Sequence, residues 1–306
     1  MTLIIAHRGF SGQYLDNSYE ALFMALDMNV DMIELDIRLC KSGDLIAYHD
    51  WRIGKDLIHQ CSFDYLKRTY QIMSLNDIFQ VYHLYMVKQK TKLLLDIKTP
   101  HYEVNNTLEQ SQQLVNIINE YIEDEVINYD SIICSSFNKQ ILGEIYTLNA
   151  NIKLGYITSY IEDNLESIPK DYPIYCISID YNEISKEKLE KLTARNIYVY
   201  VYTVNCYYDL CNFMEIGIDG IITNHPDKIL KILGKTIPIM KPFLPINYYP
   251  PKDSYNYMDN NKTISNIIDN TVDNTVDNTI NSTVDTNHIA IVRELLRTYI
   301  ADNLKN

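Results

Sequence analysis

Along the first 233 residues, short apolar runs alternate with stretches whose apolar positions fall three and four residues apart. Runs of this length, bounded by Gly, Asp, Asn or Ser, read as buried strands, and the longer periodic stretches read as amphipathic helices. Eight strands are predicted: Leu3 to His7, Met32 to Leu39, Leu93 to Ile97, Ser131 to Phe137, Lys153 to Thr158, Cys176 to Tyr181, Tyr198 to Val204 and Gly220 to Thr223. Helical spacing falls between them at Ser18 to Met28, with Ser18 as N-cap, and at Leu108 to Ile122, Lys186 to Ala194 and Tyr208 to Ile216. Strands alternating with helices on this scale predict an α/β fold, a (β/α)8 TIM barrel.

The pattern stops near residue 237, and the barrel domain is assigned to residues 1–237. Pro238, Pro242, Pro245, Pro250 and Pro251 open a linker over 238–286, which continues from Asp269 as a low-complexity DNTV-type repeat. Such a repeat has too little apolar surface to offset ordering entropy, so disorder is expected. In residues 287–306, Ile289, Val292, Leu296 and Tyr299 line one face of a short terminal helix that could dock on the barrel or mediate self-association.

Composition narrows the function classes. With 46% apolar and 22% charged residues the 306-residue chain is globular, and a formal charge of -13 repels nucleic acid. Six cysteines without a CxxC pair read as free thiols in a reducing compartment. No apolar run reaches the ~20 residues of a membrane span, and no secretory signal is seen. A cytoplasmic protein is expected.

TIM barrels carry their chemistry at the C-terminal strand ends. Glu34 and Asp36 lie two apart in the second strand, so both carboxylates point the same way. Inside a barrel they would repel each other unless a cation, most economically a metal ion, lay between them. After this strand, Leu45 to His49 returns as a β-hairpin. With Ser42 and Gly43 as the turn, His49 is expected directly opposite Asp36, on the same face. His7 and Arg8 end the first strand, and Asp96 and Lys98 end the third. His59, His83, His101, His225 and His288 have no such setting and read as structural.

His7-Arg8-Gly9, Asp16-Asn17-Ser18, Glu34-Leu35-Asp36, Ser42-Gly43 and His49-Asp50 resemble the glycerophosphodiester phosphodiesterases in letters and spacing. The resemblance continues through Asp96-Ile97-Lys98, Ser136-Phe137, Thr203-Val204-Asn205 and Gly217 to Pro226. It implies a TIM barrel in which Glu34, Asp36 and Asp96 hold a divalent cation. All-oxygen ligands suit magnesium or calcium, with manganese as a further choice, rather than zinc. It also implies that His7 and His49 act as general acid and base, that Arg8 and Lys98 meet the substrate phosphate, and that Asp16 and Asn17 support the site. The implied reaction takes a small glycerophosphodiester to an alcohol and glycerol 3-phosphate, through attack of the glycerol 2-hydroxyl and a cyclic phosphate.

Four positions depart from that pattern: Asp16 and Asp96 stand for glutamates, Tyr202 for a tryptophan, and Asn224 for an aspartate. Two rivals stay open. One is a lysophospholipase D-type enzyme of the same superfamily, which would need an apolar groove beside the site. The other is a barrel that binds a phosphodiester without turning it over.

Overall fold

A computed structural model describes residues 2–86, 90–99, 107–162 and 164–234. The expected linker over 238–286 and helix over 287–306 lie outside the described residues. In chain order the elements are β1 (Leu3–His7), α1 (Tyr19–Asp27), β2 (Met32–Leu39), β3 (Leu45–Ala47), β4 (Arg52–Ile53), β5 (Asp56–Leu57), α2 (Phe63–Tyr70), α3 (Leu75–Met86) and β6 (Lys92–Ile97). There follow α4 (Thr107–Glu123), β7 (Ile132–Ser136), α5 (Lys139–Leu148), β8 (Lys153–Thr158), β9 (Cys176–Asp180), α6 (Lys186–Thr193), β10 (Tyr198–Tyr202), α7 (Tyr207–Glu215), β11 (Gly220–Thr223) and α8 (Pro226–Ile232). Strands β1, β2, β6, β7, β8, β9, β10 and β11 pair in parallel, and β11 pairs back onto β1. The TIM barrel closes, and all eight predicted strands form it.

Two connections are irregular. Between β2 and β6 the chain inserts β3, the small β4–β5 ribbon and two helices. Between β8 and β9, no helix forms among the described residues. Pro169 and Pro173 break that segment, yet Ile161, Leu165 and Ile168 are buried, so it covers the barrel without helical structure.

The predicted hairpin forms with a different turn. Lys41, Ser42 and Gly43 make a three-residue loop in which Gly43 takes φ +86°, a left-handed conformation that suits glycine, and Cys40 N donates to Asp44 O at 2.9 Å. The extra residue shifts the register by one, so that Ile37 faces Ala47 and Leu39 faces Leu45. The expected His49–Asp36 pairing is therefore overturned. Tyr48 N donates to Asp36 O at 3.1 Å, and His49 lies beyond the end of β3.

Helix α1 starts as its sequence indicates: Ser18 Oγ accepts from Ala21 N at 3.1 Å, and Glu20 sits in the first turn. Ser18→Ala is expected to cost ~1 kcal/mol. Thermal melts that show no loss would contradict the capping role.

The period of two along a strand builds the site. One layer of the barrel interior is an apolar plug made by Ile5, Met32, Leu94, Ile133, Cys176, Tyr200 and Ile222, each from a different strand. Gly155 of β8 leaves room for this layer, since a Cβ there would lie 2.9 Å from Ser135 Cβ and 3.0 Å from Cys176 Sγ. Two residues further along the chain from each come His7, Glu34, Asp96, Ser135, Ser178, Tyr202 and, just past the end of β11, Asn224. The layer above the plug is thus polar apart from Ile157 of β8, which pairs level with Ser178, and it opens at the C-terminal end of the barrel.

Candidate functional site

The β1–α1 turn supplies the first half of the site. Arg8 and Asn17 both adopt left-handed φ, +54° and +57°, and Asn17 N donates to Arg8 O at 3.0 Å, closing the loop over the barrel mouth. Asparagine tolerates this conformation better than most residues. The Asn17 amide then clasps Asp36 twice: Nδ2 donates to its carboxylate at 2.8 Å and Oδ1 accepts from its backbone N–H at 3.1 Å. Arg8 Nη1 donates to Asp16 Oδ2 at 2.9 Å, Arg8 Nε faces Asp36 Oδ2 at 3.0 Å, and Arg8 N donates to Glu34 Oε2 at 2.9 Å. The shorter Asp16 still reaches the guanidinium.

Strands β2 and β6 supply the second half. Their register sets Asp36 directly beside Asp96. Glu34, Asp36 and Asp96 are all buried, and one oxygen from each lies within 4.8 Å of the others. Lys98 Nζ bridges the two aspartates, 2.9 Å from Asp36 Oδ1 and 2.5 Å from Asp96 Oδ2. Oδ1 of Asp96 is buried without a hydrogen-bond partner.

Electrostatics separate the three acids. Burial, followed by the charges of Asp36 and Asp96, raises the Glu34 carboxyl well above its ordinary value. Burial likewise raises Asp96, to about 6, against the opposing charge of Lys98. Burial would lift Asp36 too, but Lys98, then Arg8, and hydrogen bonds from Lys98 and Asn17 outweigh it and hold this group low. The cluster is therefore short of positive charge, and Asp96 offers an oxygen that nothing in the protein uses. Three oxygen donors at this spacing fit a hard divalent cation, whose ligand distances of roughly 2.0–2.6 Å such a triangle can serve.

The two candidate histidines are placed differently. His7 Nδ1 meets Asn224 Oδ1 at 2.6 Å, and Nε2 points at Glu34 Oε2 from 3.9 Å. Burial, then the Arg8 charge, lowers its pKa to about 4, so the ring is neutral at pH 7. His49 stands at the rim, its side chain 41% exposed and its Nδ1 2.7 Å from Asp50 Oδ1.

One residue of the site was missed in the sequence. Arg38 is 5% exposed and donates from Nη2 to His49 O at 2.7 Å and from Nη1 to Thr99 O at 3.0 Å. It ties the segment carrying His49 to the end of the segment carrying Lys98. Burial lowers its pKa to about 10, which leaves it charged at neutral pH. The signal was present, because Arg38 continues the same-face series Glu34, Asp36 along β2.

Residues 7–228 match the Glycerophosphoryl diester phosphodiesterase family, nearly the whole barrel. The chain belongs to this family. Its members' class, the phosphoric diester hydrolases, is therefore the class of this enzyme. A glycerophosphodiester phosphodiesterase from Bacillus altitudinis is 28% identical over 251 residues, covering 76% of this chain and 98% of its own. A lysophospholipase D from Mus musculus is 20% identical over 279 residues, covering 75% of this chain and 85% of its own. Among solved structures, an Oleispira antarctica phosphodiesterase in complex with the product sn-glycerol-3-phosphate superposes with a TM-score of 0.68 at 22% identity, covering 77% of this chain and 98% of that one. At that identity the superposition speaks for the fold. No helix among the described residues is long and apolar enough to cross a membrane.

Proposed function

We propose that the protein hydrolyses small glycerophosphodiesters to an alcohol and glycerol 3-phosphate, with a divalent cation held by Glu34, Asp36 and Asp96. The observation that carries this reading is the convergence of three buried carboxylates on one small volume, with a buried oxygen of Asp96 left unpaired, in a chain of this family. Oxygen-only donors favour magnesium or calcium, then manganese. When bound, the cation supplies positive charge against the phosphoryl oxygens and the attacking hydroxyl.

The protein's own groups do the rest. Arg8 and Lys98 are pinned against the acids and present fixed positive charge to the phosphate, which favours the charge that develops during displacement. His7 and His49 exchange the two protons, one taken from the attacking hydroxyl and one delivered to the departing alcohol. Asp16 and Asn17 hold Arg8 and Asp36 in place. Calorimetric titration of the chelated protein with magnesium, calcium and manganese is expected to give one site per chain, lost in Asp36→Asn. A folded wild-type protein that binds none of the three ions would overturn the assignment.

A second reading has its own observation. Leu15, Phe137, Tyr160 and Tyr207 are each about half exposed or more, and all follow barrel strands at the catalytic end. Phe137 also packs edge-on against Tyr202, whose hydroxyl donates to Thr158 O. An apolar rim of this kind favours substrates with an acyl chain, the substrate class of a lysophospholipase D. Under this reading, lysophosphatidylcholine is turned over with higher kcat/KM than glycerophosphocholine, and Phe137→Ala lowers only the former. Equal sensitivity of both substrates removes it.

Residues 1–237 are proposed to suffice for this chemistry, and a cytoplasmic setting agrees with six free thiols. A chain ended at residue 237 is expected to keep kcat, and comparison of its sedimentation with that of the full chain tests self-association through 287–306.

A further inference from the structure

We propose that Asn224 is a positioning residue that fixes the tautomer of His7, so that Nδ1 carries the ring hydrogen and Nε2 presents its lone pair to the substrate. The inference deepens the acid–base reading of His7 and rests on it for its catalytic consequence. Asn224 Oδ1 lies 2.6 Å from His7 Nδ1. An amide oxygen has only lone pairs, so the nitrogen facing it must be the protonated one. Nε2 is then the free nitrogen of the neutral ring, and it is the one aimed at the acidic cluster, 3.9 Å from Glu34 Oε2.

The residue that carries this amide is anchored through its backbone from two sides. Its backbone N–H donates to Asn205 Oδ1 at 2.9 Å, and its backbone carbonyl accepts from Gly12 N at 2.8 Å. Thr223 Oγ1 donates to the same Asn205 oxygen at 3.2 Å and accepts from His225 N at 3.1 Å. Gly12 is required for the approach, since a Cβ there would lie 2.4 Å from the Asn224 carbonyl oxygen. Asn205 sits in the loop after β10, Asn224 follows β11, and His7 ends β1. These are three consecutive positions around the barrel.

The catalytic consequence follows from proton placement. The hydroxyl proton of the substrate passes to Nε2 while the oxygen keeps its electron pair and attacks phosphorus; the ring then carries both hydrogens, with Nδ1–H still on Asn224. His7 is thus the base of the first step, and delivery of a proton to the leaving alcohol falls to His49. Aspartate at 224 would accept from Nδ1 equally well but would add a negative charge beside the ring, so the uncharged amide directs the ring and leaves the local charge unaltered.

The test is nuclear magnetic resonance of the full chain with labelled histidine nitrogens, at about pH 8, where imidazoles are neutral. His7 is assigned by comparison with His7→Gln. Wild-type protein is expected to show a protonated Nδ1 and a bare Nε2 for His7, Asn224→Asp the same pattern, and Asn224→Ala an averaged one. In parallel, Asn224→Ala is expected to lower kcat by about tenfold with KM nearly unchanged, and Asn224→Asp to recover the larger part of that loss. A protonated Nε2 in the wild type overturns the proposal without any variant. So does an unchanged His7 pattern in folded Asn224→Ala. If the tautomer is as stated but no glycerophosphodiester is turned over, the proposed function fails and the positioning role stands.

Discussion

Replacing either imidazole, His7→Ala or His49→Ala, is expected to lower kcat by ~10²–10⁴ while circular dichroism stays native, because each removes one of the two proposed proton transfers. Arg8 and Lys98 are the neighbouring cations, and both are raised in pKa by the acids around them, even though burial alone would lower them. Neither can act as an acid or base near neutral pH. The two losses should differ in character. His7 is 19% exposed and tied to Asn224, so its removal also frees that amide, whereas His49 is 41% exposed at the rim and its removal leaves the three carboxylates in place. Steady-state kinetics on both variants would falsify the role assignment if either kept a wild-type kcat.

Asp96→Asn is expected to abolish turnover and yet make the cation-free protein more stable at neutral pH. Burial holds the folded Asp96 carboxyl at about 6, above its ordinary 3.8. The folded state therefore binds a proton that the unfolded chain has already lost, and stability falls as pH rises between those two values. Above about 6 the full penalty is present. The neutral amide removes it, and Asp36 remains as a partner for Lys98. The same substitution takes away an oxygen donor for the proposed cation, so function is expected to drop as stability rises. Thermal melts of both proteins from pH 4 to 8 in chelator test the pair of effects. A variant less stable than wild type at pH 7, or one that still binds the ion tightly, contradicts this account of the cluster.

The barrel was legible because strand periodicity is local: each of the eight inner strands announces itself by a short apolar run, whatever packs against it. The carboxylate cluster was legible for the same reason, since Glu34 and Asp36 share a face and Asp96 falls level with Asp36 once β2 and β6 pair. The hairpin register was not. It turns on whether Gly43 extends a two-residue turn to three, and that one residue separates His49 from Asp36. Arg38 was passed over although it continues the Glu34–Asp36 series, because its partners are backbone carbonyls at His49 and Thr99, which no side-chain pattern displays. Asn224 was visible only as a departure from the family pattern. Its bond to His7 spans 217 positions and exists only because the barrel closes between β11 and β1. The helix-free β8–β9 connection follows from Pro169 and Pro173, which were there to be read.

The most direct test of the central claim is release of glycerol 3-phosphate from glycerophosphocholine by the purified full chain, with magnesium, calcium or manganese and with chelator. Product is expected with at least one ion and to vanish on chelation, returning when the ion is restored. Undiminished release in chelator would contradict a cation held by Glu34, Asp36 and Asp96, and no release with any ion would contradict the substrate class.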